Sequence, residues 1–311
     1  MSIAARTPEG QMTRQAWLLF AAMSLIWGIP YLMIKVAVTE LSPAAVAGSR
    51  TLLAALVLLP LAARQGALRP ALGLWRWVLA FALLEMAGPW LLLGHAEIRV
   101  TSGFAGLMLA TVPLIGVLLA GLRREPHAFS PVRLRGLLVG ILGVVGLVGL
   151  DSVAGHIDLL SVVELLLVAV GYAAAPVIAT TRLAAVPSLG VIALSVAVVA
   201  VLYLPWSVAG YAGGPVSADV IGAILVLGLL CTALAFVLFF RLIALAGPVR
   251  ATVITFINPA VAIGLGILLL GESLTPGMVL GFPLVLLGAW WATRSPTAVD
   301  PPAAPDPAAP A

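Results

Sequence analysis

LMLATVPLIGVLLAGL (residues 107–122) and VITFINPAVAIGLGILLL (residues 253–270) align on their prolines, Pro113 and Pro259. Both runs are continuously apolar and do not alternate, so each reads as a helix crossing a bilayer and not as a barrel strand. The residues C-terminal to the two blocks match too. Gly136 comes 23 residues after Pro113 and Gly143 another 7 on; Gly281 comes 22 residues after Pro259 and Gly288 another 7 on. One inserted residue in a connecting loop reconciles the two series. Each block also runs into a turn holding a glutamate, Glu125 and Glu272. The chain is an internal duplication.

Working outward from these blocks, ten stretches have spanning length: about 16–38, 44–63, 77–96, 101–121, 134–150, 159–181, 188–208, 219–240, 248–270 and 276–293. Each approximates the ~20 residues that cross the hydrocarbon as a helix. Helices satisfy their own backbone donors and acceptors, which lipid cannot do. The composition agrees: the 311 residues are 62% hydrophobic and 9% charged, against about 25% charged in a soluble domain. The expected fold is an all-α integral membrane protein, two five-helix repeats (16–150 and 159–293) around a central cavity. A five-span unit crosses an odd number of times, so tandem copies must lie inverted, the architecture of many secondary carriers.

Arginine placement gives an orientation. With the N-terminus inside, Arg6, Arg14, Arg64, Arg69, Arg76, Arg123, Arg124, Arg133, Arg135, Arg182, Arg241 and Arg294 fall on the cytoplasmic side, and Arg250 at the inner entry of span nine. The opposite loops hold Arg99 as their one basic residue, beside Glu40, Glu97, Asp151, Asp158, Asp219 and Glu272. This positive-inside pattern puts both termini in the cytoplasm. The first apolar stretch is longer than a signal-peptide core and reads as a retained span. Lys35 is the only lysine, and with the abundant Ala, Gly, Leu and Val this skew points to a GC-rich bacterium and its inner membrane. Residues 1–15 read as a short cytoplasmic segment and the Pro/Ala-rich tail 294–311 as disordered. The net charge of +4 is spread over short loops, so nucleic acid is not an expected partner. Cys231 stands alone, which leaves no thiol cluster for a metal.

LIWGIPYLMIKVAVTELSPAAVAGSRTLLAALVLLP (residues 25–60) resembles the opening hairpin of the EamA-type proteins of the drug/metabolite transporter superfamily, with its Trp-Gly, downstream Lys and Arg in span two. AGPVRATVITFINPAVAIGLGILLLGESLTPGMVLGFPLVLLGAWW (residues 246–291) resembles that group's second-repeat signature. The resemblance covers residues 16–293 and departs at RREPHAF (residues 123–129), where a Gly-Glu turn is usual. It implies ten helices, a central cavity and alternating access without ATP. No G-x-x-x-x-G-K-[ST] stretch is present, so no nucleotide or other cofactor is expected.

Seven residues are candidates to line a substrate site: Trp27, Tyr31, Arg50, Glu85, Trp90, Tyr172 and Asn258. Glu85 lies near mid-span, four residues before Pro89, where a charge costs about 2.5–3.5 kcal/mol unless it faces a cavity or partner. It is a candidate amine counter-ion or proton carrier, or else a neutral interhelical carboxyl. Glu164 is the second proton-coupling candidate, or a structural partner of Arg50. Arg50 and Lys35 both lie toward the outer ends of their spans, where long side chains snorkel; Arg50, the deeper of the two, could instead meet an anionic substrate group. Trp27 and Tyr31 share one face of span one beside Gly28 and Pro30, with Tyr172 and Pro176 in a similar place in span six. Trp90 extends this aromatic set, which suits either an organic solute or plain packing. Thr252, Thr255 and Asn258 form a polar strip on span nine, for substrate or for interhelical bonds. His95 reads as structural. Gly136, Gly140 and Gly143, with Gly281 and Gly288, are close-packing faces, within the chain or in a homodimer. Glu272 is expected to cap the helix that comes after it.

The expected activity is secondary transport, outward in direction, of small organic metabolites or drugs, with proton exchange if Glu85 or Glu164 titrates. The alternatives are a passive facilitator or uptake carrier of the same fold, or a non-transporting scaffold. An intramembrane enzyme is disfavoured: the one G-x-S, Gly271-Glu272-Ser273, sits in a loop, and no H-E-x-x-H occurs. Membrane lipid and a small-molecule substrate are the expected partners.

Overall fold

The computed structural model describes residues 12–125, 128–153 and 158–293. The tail, Arg6 and Arg294 lie outside these residues. Among the described residues every regular element is helical. The first repeat contains α1 (Arg14–Ile26), α2 (Ile29–Ala37), α3 (Pro43–Arg64), α4 (Leu68–Gly73), α5 (Trp75–Ala82), α6 (Gly88–Glu97), α7 (Ser102–Met108), α8 (Val112–Leu122) and α9 (Pro131–Val153). The second contains α10 (Leu159–Thr181), α11 (Ser188–Ala212), α12 (Ala218–Leu225), α13 (Ala235–Ala246), α14 (Pro248–Ala251), α15 (Asn258–Leu270) and α16 (Pro276–Ala292). Among the described residues eight helical stretches are long and apolar enough to cross a membrane. The remaining two apolar helices, α15 and α16, are shorter, so spanning length alone supports eight of the ten expected crossings. Leu56, Leu138, Val201 and Leu268 are exposed, an apolar surface that only lipid suits.

The long helices are interrupted where the sequence withholds a donor. Pro89 offers no N–H to the carbonyl four residues back, and a π-helical turn, Leu83–Ala87, lies between α5 and α6. Tyr203 of α11 donates its hydroxyl to the Ala87 carbonyl at 3.1 Å, pinning this turn. Pro113 and Pro259 each come after a 3₁₀ segment, Leu109–Thr111 and Thr252–Phe256. A second π segment, Val226–Leu234, separates α12 from α13. No proline accounts for it; the Thr232 hydroxyl donates into the helix at Leu227 O, 2.7 Å away. Shifted by 146 residues, the separation of Pro113 and Pro259, the first π turn falls inside the second. The duplication extends to its irregularities.

Helix pairing is symmetric under exchange of the repeats. α3 packs on α11, α7 on α15 and α9 on α16, while α2 on α12 is matched by α10 on α6. The α9–α16 seam is backbone against backbone. A Cβ on Gly136 would collide with Ala292 and Gly288, one on Gly143 with Val285, and one on Gly288 with Gly140. The two glycine faces are therefore spent on each other within one chain.

Glu272 does something other than the expected cap on its own next helix. Gly271, in the left-handed region at φ 66°, turns the chain after α15. The Glu272 carboxylate then accepts from Ser102 N (2.7 Å), Gly103 N (3.1 Å) and Ser102 Oγ (3.0 Å) at the start of α7. Gly266 leaves room for it, since a Cβ there would strike the carboxylate. One repeat thus caps a helix of the other. Glu125 instead pairs with neighbouring Arg123 at 3.2 Å.

Candidate functional site

Arg50, Trp90 and Tyr172 come together from α3, α6 and α10. The Arg50 guanidinium lies over the Trp90 ring, 3.8 Å from its centroid. Trp90 donates its indole N–H to the Tyr172 hydroxyl at 3.1 Å. Arg50 also donates to Thr232 Oγ1, at 3.1 Å from Nη2 and 3.4 Å from Nε. The second π segment delivers that acceptor, and Gly228 brings its backbone against Arg50 O. Arg50 is only 4% exposed, so it does not snorkel. Among the described residues no carboxylate lies within ion-pair distance of it. A buried guanidinium held by one hydroxyl and an aromatic face keeps donors free for a ligand's anionic group.

Glu97 joins this group unexpectedly. The sequence places it among the outer loop charges, and the structure corrects that: it closes α6, is fully buried, and among the described residues neither carboxylate oxygen has a hydrogen-bond partner. It lies within electrostatic reach of Tyr31, Lys35, Arg50, Tyr172 and Glu272. The available signal was helical spacing. Trp90 and Glu97 are seven residues apart, two turns along one face, as Tyr31 and Lys35 are one turn apart on α2. Lys35 does not snorkel either. Its ammonium donates to Glu97 O (2.5 Å) and Val100 O (2.8 Å), satisfying carbonyls at the end of α6.

Glu85 sits half-buried in the first π turn, within electrostatic reach of Tyr172 and without a hydrogen bond or ion pair among the described residues. Tyr31 is buried against Gly106 of α7. The other candidates lie elsewhere. Span one breaks at Trp27–Gly28, and Trp27 packs on Phe236 and Phe239 of α13. It belongs to a separate cluster with Met23 and Leu242, so Trp27 and Tyr31 do not share a face. Asn258, with its amide nitrogen as donor, bonds Ile254 O (2.9 Å) and Ser24 O (3.1 Å), tying span nine to α1.

Glu164 does not pair with Arg50. It is buried, and its two oxygens meet His95 Nδ1 at 2.5 Å and Arg99 Nη2 at 2.6 Å. Arg99 continues to Asp158 at 2.6 Å and Ser161 Oγ at 3.1 Å. Hydrogen bonds from Arg99, then from Ser161, hold the Asp158 carboxyl below its usual range. Nearby, a cavity of about 420 Å³ is lined by Lys35, Glu40, Thr101, Ser217, Asp219 and Glu272, among others. Glu40 accepts from Ser217 N at 2.9 Å, and bonds from Ser217 lower its pKa as well.

A buried cationic–aromatic group thus lies between apolar helices of a multi-pass membrane protein. A family profile described as EamA-like transporter family matches residues 15–149 and 159–294. The chain belongs to this family and is a membrane transporter. It is 26% identical over 290 residues to an "Uncharacterized transporter" of Archaeoglobus fulgidus, covering 89% of this chain and 98% of that one. A solved crystal structure superposes with a TM-score of 0.61 at 20% identity, covering 89% of this chain and 96% of that chain, a likeness of fold alone.

Proposed function

We propose that the protein exports small organic metabolites or drugs across a bacterial cytoplasmic membrane by alternating access, as a secondary carrier. One observation carries this reading: Arg50, a guanidinium buried on Trp90 among apolar helices, has no carboxylate partner among the described residues. A charge so placed is costly, and its neighbours leave it available to an anionic or polar group of a solute. Trp90, Tyr172 and Tyr31 would hold the organic body, and Glu85 is the candidate proton carrier or amine counter-ion. In this reading Trp27 and Asn258 hold helices together, and Glu164 is a structural anchor.

We further propose ten crossings in two oppositely oriented repeats, with both termini cytoplasmic. The exchange-symmetric pairing and the matching irregularities support it, because two equivalent halves can swap conformations around one site. Arg50 and Glu97 are closed from solvent in this structure, as an occluded conformation requires.

The test compares extracellular metabolites, by untargeted mass spectrometry, from cells expressing wild type, Glu85→Gln or no transporter at matched membrane levels. Wild-type-specific accumulation of a few compounds supports export, and loss of it in Glu85→Gln places Glu85 in the mechanism. Depletion of the same compounds from the medium would instead favour uptake. No difference between wild type and empty cells contradicts export.

A further inference from the structure

We infer that Glu97 is a proton-binding site of this protein, and that its protonation is the switch between the closed form seen here and a form open to the outer vestibule. The coupling half rests on the transport reading above; the proton-binding half does not.

Glu97 is the most deeply buried carboxyl among the described residues, and both its oxygens lack hydrogen-bond partners. An ionised carboxylate there would carry its full desolvation cost with nothing bonded to it, whereas a neutral carboxyl carries far less. The closed form is thus the form of the protonated acid. Among the described residues no neighbour bonds the Glu97 carboxyl oxygens, and Lys35 meets only its backbone carbonyl. Tyr31 and Lys35 approach from span one, Arg50 from α3 and Tyr172 from α10, whereas Glu272, from the turn after α15, is a second carboxylate that repels an ionised Glu97. On the chain beside it, His95 and Arg99 are already engaged with Glu164.

The vestibule supplies the route. Lys35 and Glu272 line it, and Lys35 bonds the Glu97 backbone carbonyl. Opening of α6 against α2 would admit water to the carboxyl. The O–H bond then breaks, its proton passes to vestibule water, and the carboxylate formed is stabilised by Lys35 or Arg50. Protonation reverses each step and favours closure. Linkage sets the direction: acid favours the closed form, and alkali the open one. Glu85 and Glu164 are poorer candidates for this switch. Glu85 is only half-buried, and Glu164 already has a partner on each oxygen.

The experiment uses the full-length protein in liposomes on a solid-supported membrane, with pH jumps and no organic solute, so that protons are the only probe. The wild type is expected to displace charge with a titrating dependence on pH. Glu97→Gln should lose the signal, Glu97→Asp should keep it with a shifted midpoint, and Glu125→Gln, in the turn after α8 where Glu125 pairs with Arg123, should leave it unchanged. Should Glu97→Gln fail to fold, the Glu97→Asp shift decides the matter. A silent wild type, a wild-type response in Glu97→Gln, or an unshifted midpoint in Glu97→Asp would overturn the inference. A negative metabolite comparison with the displacement intact would remove the transport reading and leave the proton site standing.

Discussion

Two regions of this molecule hold ionisable groups of the same kinds and treat them in opposite ways. Where the C-terminal end of α6 meets the N-terminal end of α10, Glu164, Arg99, Asp158 and His95 are bonded to one another, with Ser161 closing the chain of contacts. Between α3 and α6, Arg50 and Glu97 are buried and, among the described residues, neither makes an ion pair; Arg50 is held only by Thr232 and the Trp90 ring. Paired charges fasten helices. Unpaired buried charges work against stability, and their persistence points to a ligand or proton that completes them.

Several substitutions can break this contrast or sharpen it. The largest effect is expected from Arg50→Leu in the central group. Transport should fall by a factor of roughly thirty or more, since removing a partner of a buried charged contact costs at least about 2 kcal/mol. Thermal stability in detergent should hold or rise, because an uncompensated charge has been removed. Equal loss of stability and transport would erase the distinction between the regions.

Glu164→Gln should do the reverse. The folded fraction should transport as the wild type does, while stability falls by about 1–3 kcal/mol in a denaturation series. That figure lies below the ~3–5 kcal/mol of a wholly buried pair, because Arg99 is partly exposed and keeps Asp158. Glu272→Gln tests the clasp between repeats. Losing charge at the α7 N-terminus should cost about 1 kcal/mol, with the amide oxygen retaining part of the cap.

The smallest effect concerns acid. Asp158 has a lowered carboxyl pKa in the fold, so its contribution to stability is present above the unfolded value and lost as pH falls through the folded one. Wild type should therefore melt above Asp158→Asn at neutral pH, with the gap closing in acid. A gap that widens in acid would mean the Arg99 contact does not hold the carboxylate.

Much of the fold is legible in the sequence because lipid imposes simple rules. Span length, continuous apolarity and the Pro113/Pro259 alignment place the helices and the duplication. Glycine spacing names the α9–α16 seam, though not that both faces belong to one chain. The helical interruptions are visible where a proline causes them and hidden where the Thr232 hydroxyl accompanies one. The site is harder to read. Arg50, Trp90 and Tyr172 do meet, but no periodicity could reveal that Thr232, 182 residues away, holds Arg50. Helical spacing misplaces Trp27 because it treats the helix as unbroken across Gly28 and Pro30. Glu97 looks like a loop charge because it lies close to Arg99 in the chain, and only tertiary packing shows which of the two is buried.

The most direct test of the central claim measures two properties of two variants side by side. Wild type, Arg50→Leu and Glu164→Gln would be assayed for export of the compounds that wild type accumulates outside cells, and for melting temperature after purification. The account predicts that Arg50→Leu lowers export by roughly thirtyfold or more without lowering the melting temperature, and that Glu164→Gln lowers the melting temperature while export per folded protein persists. Export intact in Arg50→Leu, with its stability reduced, would show that the central group is packing and would contradict the account.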